Sequence, residues 1–477
     1  MIHKVYLLSL IISASTVCAR ATDFNILDYG AKSDTTVVST QAFNKAINAC
    51  FESGGGKVIV PPGMYLSGTI LLKNNVELYL SIGSTIYGST NSKDFPAQKQ
   101  KTYLSDKEEN GWYALIYGEA LSNIAVTGGG TIDGNGLRQR GKTEKRPRNI
   151  LFISCSKVRI QNITLKHSVN WNQHYLNCED VVVDGITVYN HSNKNNDGID
   201  IDGCRRFILS NSIIDSDDDA VVLKSTGVAP CENITMTNCI LSSHTNAIKC
   251  GTESIGGFKN IVISNCIVKP SESKEEPIFK TPHHGFTGIS LEIVDGGIMD
   301  GVSIDNITIE GTECPLFVRL ANRGRKTHES APEPPLGQMR NIQISNIIAY
   351  NTGNFSSSIT GIPQKKIENI YLSNIRFFSK GGLKKGQYIE SIDKVPEKEK
   401  SYPQPNIWGC LPSYGLFIRH VDNITVSNST FKSNDDPRKA IIAADIGNLK
   451  IIDIEWNDDI KENLLLMQDV NKHKMNP

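Results

Sequence analysis

Residues 157–165 read "KVRIQNITL": Val158 and Ile160 alternate with polar residues, Asn162 follows, and Ile163 and Leu165 resume the alternation. A period of two is the mark of a strand with one buried face. An Asn between two such runs marks a tight turn, because Asn tolerates the left-handed backbone region. The pattern returns as "FILSNSII" (207–214), "NITMTNCIL" (233–241), "NIVISNCIV" (260–268) and "VSIDNITI" (302–309). It returns again as "NIQISNIIA" (341–349), "NIYLSNIRF" (369–377) and "NITVSNSTF" (423–431). The turn residues are thus Asn162, Asn211, Asn238, Asn265, Asn306, Asn346, Asn374 and Asn428. A unit of about 22–27 residues that holds several short strands and no helix predicts one coil of a right-handed parallel β-helix, an all-β solenoid. A leucine-rich repeat would need its Leu framework, and a propeller a period above about 40 residues.

Working outward, Cys155, Cys178, Cys204 and Cys231 open "CSKV", "CEDV", "CRRF" and "CENI" at one position of successive coils. That placement predicts stacked, buried free thiols acting as small apolar side chains rather than a disulfide framework. In the stretch 40–66, "TQAFNKAINACFESGGGKVIVPPGMYL", Ala42, Phe43, Ala46, Ile47, Cys50 and Phe51 share a helical face before a Gly-rich stop. This predicts a helix capping the open N-terminal end of the coil. Residues 379–410, rich in Lys, Glu and Pro, interrupt the repeat and are expected as a loop beside a groove, with the charge run "KVPEKEK" (394–400) solvated. Residues 1–21 combine a basic start, an apolar run and small residues before Thr22, the pattern of a secretory signal peptide. The expected organisation is a signal peptide at 1–21 and a single β-helix domain at 22–477, exported to the periplasm or secreted. No later run is long and apolar enough to span a bilayer. The 50 basic and 50 acidic residues cancel, which argues against a nucleic-acid partner. Oligomeric state has no signature here.

Negative charge is concentrated in residues 214–225, "IDSDDDAVVLKS". Registering the coils by their inward residues aligns Ile199 and Ile201 with Val221 and Leu223, then with Ile248 and Cys250. Asp197, Asp219 and Asn246 then fall in one outward column, with Asp218 beside it. Parallel strands lie about 4.8 Å apart, so the three acids form a cluster across two coils. Crowded carboxylates hold a proton on one member and leave its neighbour ionised, which general acid–base hydrolysis of a glycoside requires. On these residues alone, calcium binding or turn chemistry is also open.

At these residues the chain resembles the polygalacturonase family of pectin hydrolases, glycoside hydrolase family 28. "NNDGIDIDGC" is similar to its Asn-Thr-Asp-Gly motif and "DDDAVVLKS" to its Asp-Asp motif. The start at "FNILDYGAKSD" and the coil "SVNWNQHYLNCEDV" also resemble the family, so that the likeness spans about residues 24–460. The resemblance implies that Asp218 is the general acid, that Asp197 and Asp219 activate water with inversion, and that no metal or cofactor takes part. It implies a pectic poly- or oligosaccharide containing galacturonic acid as partner. Two positions depart from the pattern. Asn246 stands where the family has His, with His244 two residues earlier. Ser290 and Glu292 of "GISLEIVDGG" stand where the family has an Arg-x-Lys pair for a uronate carboxylate. Glu292 is expected to bridge Arg319 across coils, leaving Arg323 and Arg325 free for that carboxylate. Lys224, weighed against pairing with Asp202, and Lys249 are further candidate ligand contacts, as are Asn246 and His174. Trp171 is expected to be packed. These departures suggest rhamnogalacturonan rather than plain homogalacturonan. The alternatives are a calcium-dependent pectate lyase and a non-catalytic glycan-binding β-helix.

Overall fold

A computed structural model describes residues 23–103, 112–326, 331–457 and 461–476. The expected signal peptide lies outside these residues. All ladder pairings between the 32 strands are parallel, and each strand bonds to the equivalent strand of the next coil. Parallel crossovers of one hand wind this ribbon into a right-handed β-helix.

Each coil has up to three strands. One ladder runs through Gln173–Leu176, Ile199–Asp202, Val221–Ser225, Asn246–Ser254 and Thr287–Ile293. A second runs through Ser156–Gln161, Glu179–Asp184, Arg205–Ser210 and Cys231–Thr237. A third runs through Thr164–Lys166, Thr187–Asn190, Ile213–Ser216 and Ile240–Ser243. From Phe258–Val268 onward the second and third merge into long strands bent at an Asn. All eight turn Asn residues have φ between +48° and +57°. Gly185 fills the same corner between Asn162 and Asn211 with φ +64°, and a Cβ there would meet Asn162 Oδ1 at 2.6 Å.

Inside, Ile199, Val221, Ile248, Ile289 and Leu316 stack in register, all buried in one core that runs the length of the coil. Each such burial contributes about 1.5–3 kcal/mol. Cys155, Cys178, Cys204 and Cys231 are buried free thiols on successive coils. Their S–H groups point at main-chain carbonyls, as Cys204 to Tyr175 O at 3.2 Å. The helix Thr40–Glu52 covers the N-terminal end with Ala42, Phe43, Ala46, Ile47 and Cys50 buried. Phe51, expected on that face, is instead exposed one residue before the helix ends.

Residues 379–410 leave the repeat as a loop whose charge run 394–400 is mostly exposed, with Val395 buried, yet the segment is packed down by its apolar residues. Ile392, Val395 and Trp408 are buried against Phe317, Phe417 and Ile442, which point outward from the first ladder. This excursion thereby forms a second apolar cluster on the outer face of the first ladder. Arg319 anchors it, donating to Thr360 Oγ1, Gly361 O and Glu397 O while its guanidinium lies 5.1 Å from the Trp408 ring.

Candidate active site

Main-chain bonds Gly198 N to Asp219 O and Ala220 N to Asn246 O, both 2.9 Å, stack Asp197, Asp219 and Asn246 on successive coils. Their turns are held from behind. Asn190 Nδ2 donates to Asp197 O at 3.0 Å, and Asn196 Nδ2 donates to Ser168 O and Asn170 O at 2.9 Å. The Ser216 and Ser243 hydroxyls donate to Asp218 O at 2.8 and 2.6 Å. A backbone fixed at the carbonyl aims the Asp218 side chain without constraining its carboxyl proton.

The three carboxyls have different surroundings. Asp219 is buried, but Lys249 Nζ at 3.1 Å, with Lys224 and the Asn246 Nδ2 donor at 2.6 Å, outweighs burial and holds its pKa below the usual range. Asp218 is only partly buried and has no ion pair among the described residues. Desolvation, then the neighbouring Asp219 charge, push it up to about 6. The Thr245 hydroxyl lies between the pair, 3.1 Å from Asp218 Oδ1 and 2.9 Å from Asp219 Oδ1. Asp197 is raised well above its ordinary value by burial and by Asp200 and Asp218.

Lys224 is the shared cation of the cluster, with Asp197, Asp200 and Glu253 at 3.6, 3.4 and 3.6 Å. One ammonium cannot neutralise three desolvated carboxylates, so protons remain in the cluster; Asp200 sits at about 7, raised by burial against the pull of Lys224 and Arg148. The alternative pairing of Lys224 with Asp202 does not form. Asp202 instead bonds to His174 Nε2 at 3.1 Å and to Thr226. The flexible Lys stem instead carries its charge to Asp197 and Asp200, and the next coil carries a bulge. Leu223 pairs with Cys250 but Ser225 with Ser254, and the two extra residues bring Glu253 over the ammonium.

Four further expectations are corrected. His174, expected as a ligand contact, is fully buried between the Trp112 and Trp171 rings, each 4.9 Å away. Burial lowers its pKa to about 4. Asn246 is buried on Asp219 and Thr287, and Lys249 on Asp219 and Tyr402, so both position groups of the site instead of facing the groove. Glu292 and Arg319 are register neighbours without a salt bridge; Glu292 accepts from Ser290 Oγ at 2.7 Å, and burial lifts it to about 7. Arg323 and Arg325 are not free: Arg323 forks onto Asp295, and Arg325 Nη2 reaches Glu253 at 2.8 Å. Their side chains nevertheless remain 16% and 34% exposed. Trp171 is packed as expected, with Lys224 Nζ and the Arg148 guanidinium each 4.8 Å from its ring.

Sequence reading missed Glu253, Thr245, Arg148 and Tyr402. Thr245 was available from register, one residue before Asn246. Glu253 was hidden by the bulge. Tyr402 comes from the 379–410 excursion, which has no periodicity to register, and brings its hydroxyl 3.2 Å from Lys249 Nζ.

Residues 50–275 match the family model described as glycosyl hydrolases family 28. A probable polygalacturonase of Vitis vinifera is 29% identical over 44% of this chain and 46% of its own length. An exo-poly-alpha-D-galacturonosidase of Dickeya chrysanthemi is 26% identical over 41% of each chain. The chain thus spans less than half the length of these curated relatives. Among solved structures, an exopolygalacturonase of Thermotoga maritima superposes with a TM-score of 0.64 at 21% identity, over 76% of this chain and 88% of that one. At that identity the likeness concerns the fold.

Proposed function

Through residues 50–275 the chain belongs to glycosyl hydrolase family 28, and we propose that it is an inverting glycoside hydrolase acting on α-galacturonosidic linkages of pectic chains. The observation that carries this reading is the division of labour among adjacent carboxyls. Asp219 is pinned as an anion by Lys249 and Asn246, while Asp218 has no ion pair among the described residues and is the more exposed. Asp218 is thus the group able to keep a proton and reach a sugar, and it donates that proton to the leaving glycosidic oxygen. Asp219 accepts a proton from the water that attacks the opposite face of the ring, and Asp197 on the preceding coil, raised by burial, helps hold that water.

Rhamnogalacturonan, rather than plain homogalacturonan, fits the groove better. Ser290 and buried Glu292 occupy the coil position where a cation pair would meet a second uronate. A substrate that alternates uronate with neutral sugar needs only one such contact. The exposed edges of Arg323 and Arg325 are suited to it, since a guanidinium binds carboxylates through its planar fork. Export belongs to the same reading and rests on residues 1–21.

The test is sugar release from defined oligosaccharides, with the anomer of the first product followed by NMR. Wild type should release reducing ends from rhamnogalacturonan oligosaccharides with inverted configuration, and Asp218→Asn should be slower by about 10²–10⁴. Galacturonate release from polygalacturonate alone would remove the rhamnogalacturonan part. Binding by both proteins without release by either would make the chain a glycan-binding module.

A further inference from the structure

Behind the Asp218 turn, on the third ladder, lies a cluster that the proposed reaction does not use. Asn190, Ser216 and Ser243 are register partners, so the residues that follow them, His191, Asp217 and His244, stack on three successive coils. All three are buried to within 1%. The two His come from coils separated by the Asp217 coil, yet their rings lean together to a centroid distance of 4.7 Å. One nitrogen of each ring and an oxygen of Asp217 lie within 4.8 Å of one another.

The hydrogen bonds show which atoms are available. His191 Nε2 is 2.8 Å from Asp215 Oδ1, and Asp215 is itself held by Ser271 Oγ at 2.7 Å and Glu272 N at 3.2 Å. An acceptor carboxylate places the proton on Nε2 and leaves Nδ1 as a bare lone pair, which is buried and has no partner. His244 faces Asp217 Oδ1 through Nδ1 at 3.0 Å, close to the separation of two ligand atoms on one ion, so an ion that takes the place of the shared proton meets both. Asp217 is further oriented by Ile278 N at 3.2 Å. The buried, unsatisfied His191 Nδ1 is a cost of about 1–3 kcal/mol unless a ligand meets it. A carboxylate behind a His, fixing its tautomer for ligation by the other nitrogen, is the usual support of a metal-bound imidazole.

We propose that His191, Asp217 and His244 form a binding site for a divalent transition-metal ion of the zinc class. Two imidazoles and one carboxylate suit that class over calcium or magnesium, which prefer all-oxygen shells. Tetrahedral bonds of about 2.0–2.1 Å need ligand atoms roughly 3.4 Å apart, so side-chain rotations of about 1 Å close the site. The fourth position is left for water. The ion pins the corner from which Asp218 and Thr245 project, because each directly follows a ligand in the chain.

The test uses the full chain without an affinity tag, stripped with chelator, dialysed against zinc chloride and measured for metal content. Wild type should retain one zinc per chain, and its Tm should rise with zinc. Cobalt in its place should give the intense visible bands of a tetrahedral centre. His191→Gln and His244→Gln should lose the ion, and Asp215→Asn should bind roughly 10–100-fold more weakly. His473→Gln, an exposed imidazole on the last strand, should bind as wild type does. Substoichiometric zinc in wild type, or equal zinc in both ligand variants, would overturn the proposal. Should the variants fail to fold, the wild-type cobalt spectrum decides: absent or weak octahedral bands overturn it as well.

Discussion

Glu292 shows how one residue can hold stability in reserve for a site. It is fully buried, Ser290 bonds to Oε1, and Oε2 has no partner. Burial lifts its pKa from 4.5 to about 7 against the pull of Lys249. A folded-state pKa above the unfolded one gives stability that is complete below about pH 4.5 and lost as pH rises through about 7. The loss amounts to roughly 3 kcal/mol at most. In Glu292→Gln the oxygen that serves Ser290 remains but the titration does not. The variant's Tm should therefore gain on wild type between pH 4.5 and pH 8, and parallel Tm profiles would refute the assignment. Residue positions of this kind were legible in the sequence wherever strand register decided them, as for Asp197 beside Asp219. Side-chain partners were not: Lys224 faces Asp202 in register, yet its ammonium settles among Asp197, Asp200 and Glu253. Register fixes where a Cβ starts, and a long flexible stem decides where the charge ends.

At the scale of elements, the recurring Asn corners carry the coil from one strand to the next. Asn238 has φ +56°, and its amide Nδ2 donates to Asn211 Oδ1 of the preceding coil at 3.2 Å. Asn265 and Asn306 continue such contacts, with Asn306 Nδ2 donating to Asn265 Oδ1 at 2.8 Å. Replacing Asn238 by Ala forces a β-carbon without a polar partner into the left-handed region and cuts the ladder, at a cost of about 1–2 kcal/mol. Replacing it by Gly retains the backbone freedom and loses only the amide contact. Guanidinium midpoints should therefore fall in the order wild type, Asn238→Gly, Asn238→Ala; an Ala variant as stable as the Gly variant would show that the corner is unstrained. These turns and the capping helix could be read from sequence because each depends on local chemistry repeated at a fixed period. The bulge at Cys250–Ser254 could not, because it appears only when two coils of unequal length are laid together.

At the scale of the whole molecule, the excursion 379–410 turns a plain solenoid into one with a built-up wall beside the acids. Its attachment depends on long-range contacts that no repeat announces. Arg319 is fully buried and reaches both the next coil, at Thr360 and Gly361, and the excursion, at Glu397. Arg419, two coils further along the same column, donates to Val395 O at 2.8 Å and Pro396 O at 3.3 Å. Two arginines therefore hold the segment by its main chain, and Trp408 packs between Phe317 and the Arg319 guanidinium. Tyr402, carried by this wall, meets Lys249 through its hydroxyl and ring. Truncating Arg319 to Ala removes no catalytic group, but it strips the buried carbonyl of Gly361 of its donor, at about 1–3 kcal/mol, and loosens the half-buried carbonyl of Glu397. The coil keeps its own ladders and core, so the excursion should loosen while the solenoid persists. Limited proteolysis of Arg319→Ala should then cut within 379–410 while the far-ultraviolet β signal is retained, and KM should rise more than kcat falls. Cleavage throughout the chain, or the wild-type cleavage pattern, would show that the wall and the coil stand or fall as one unit.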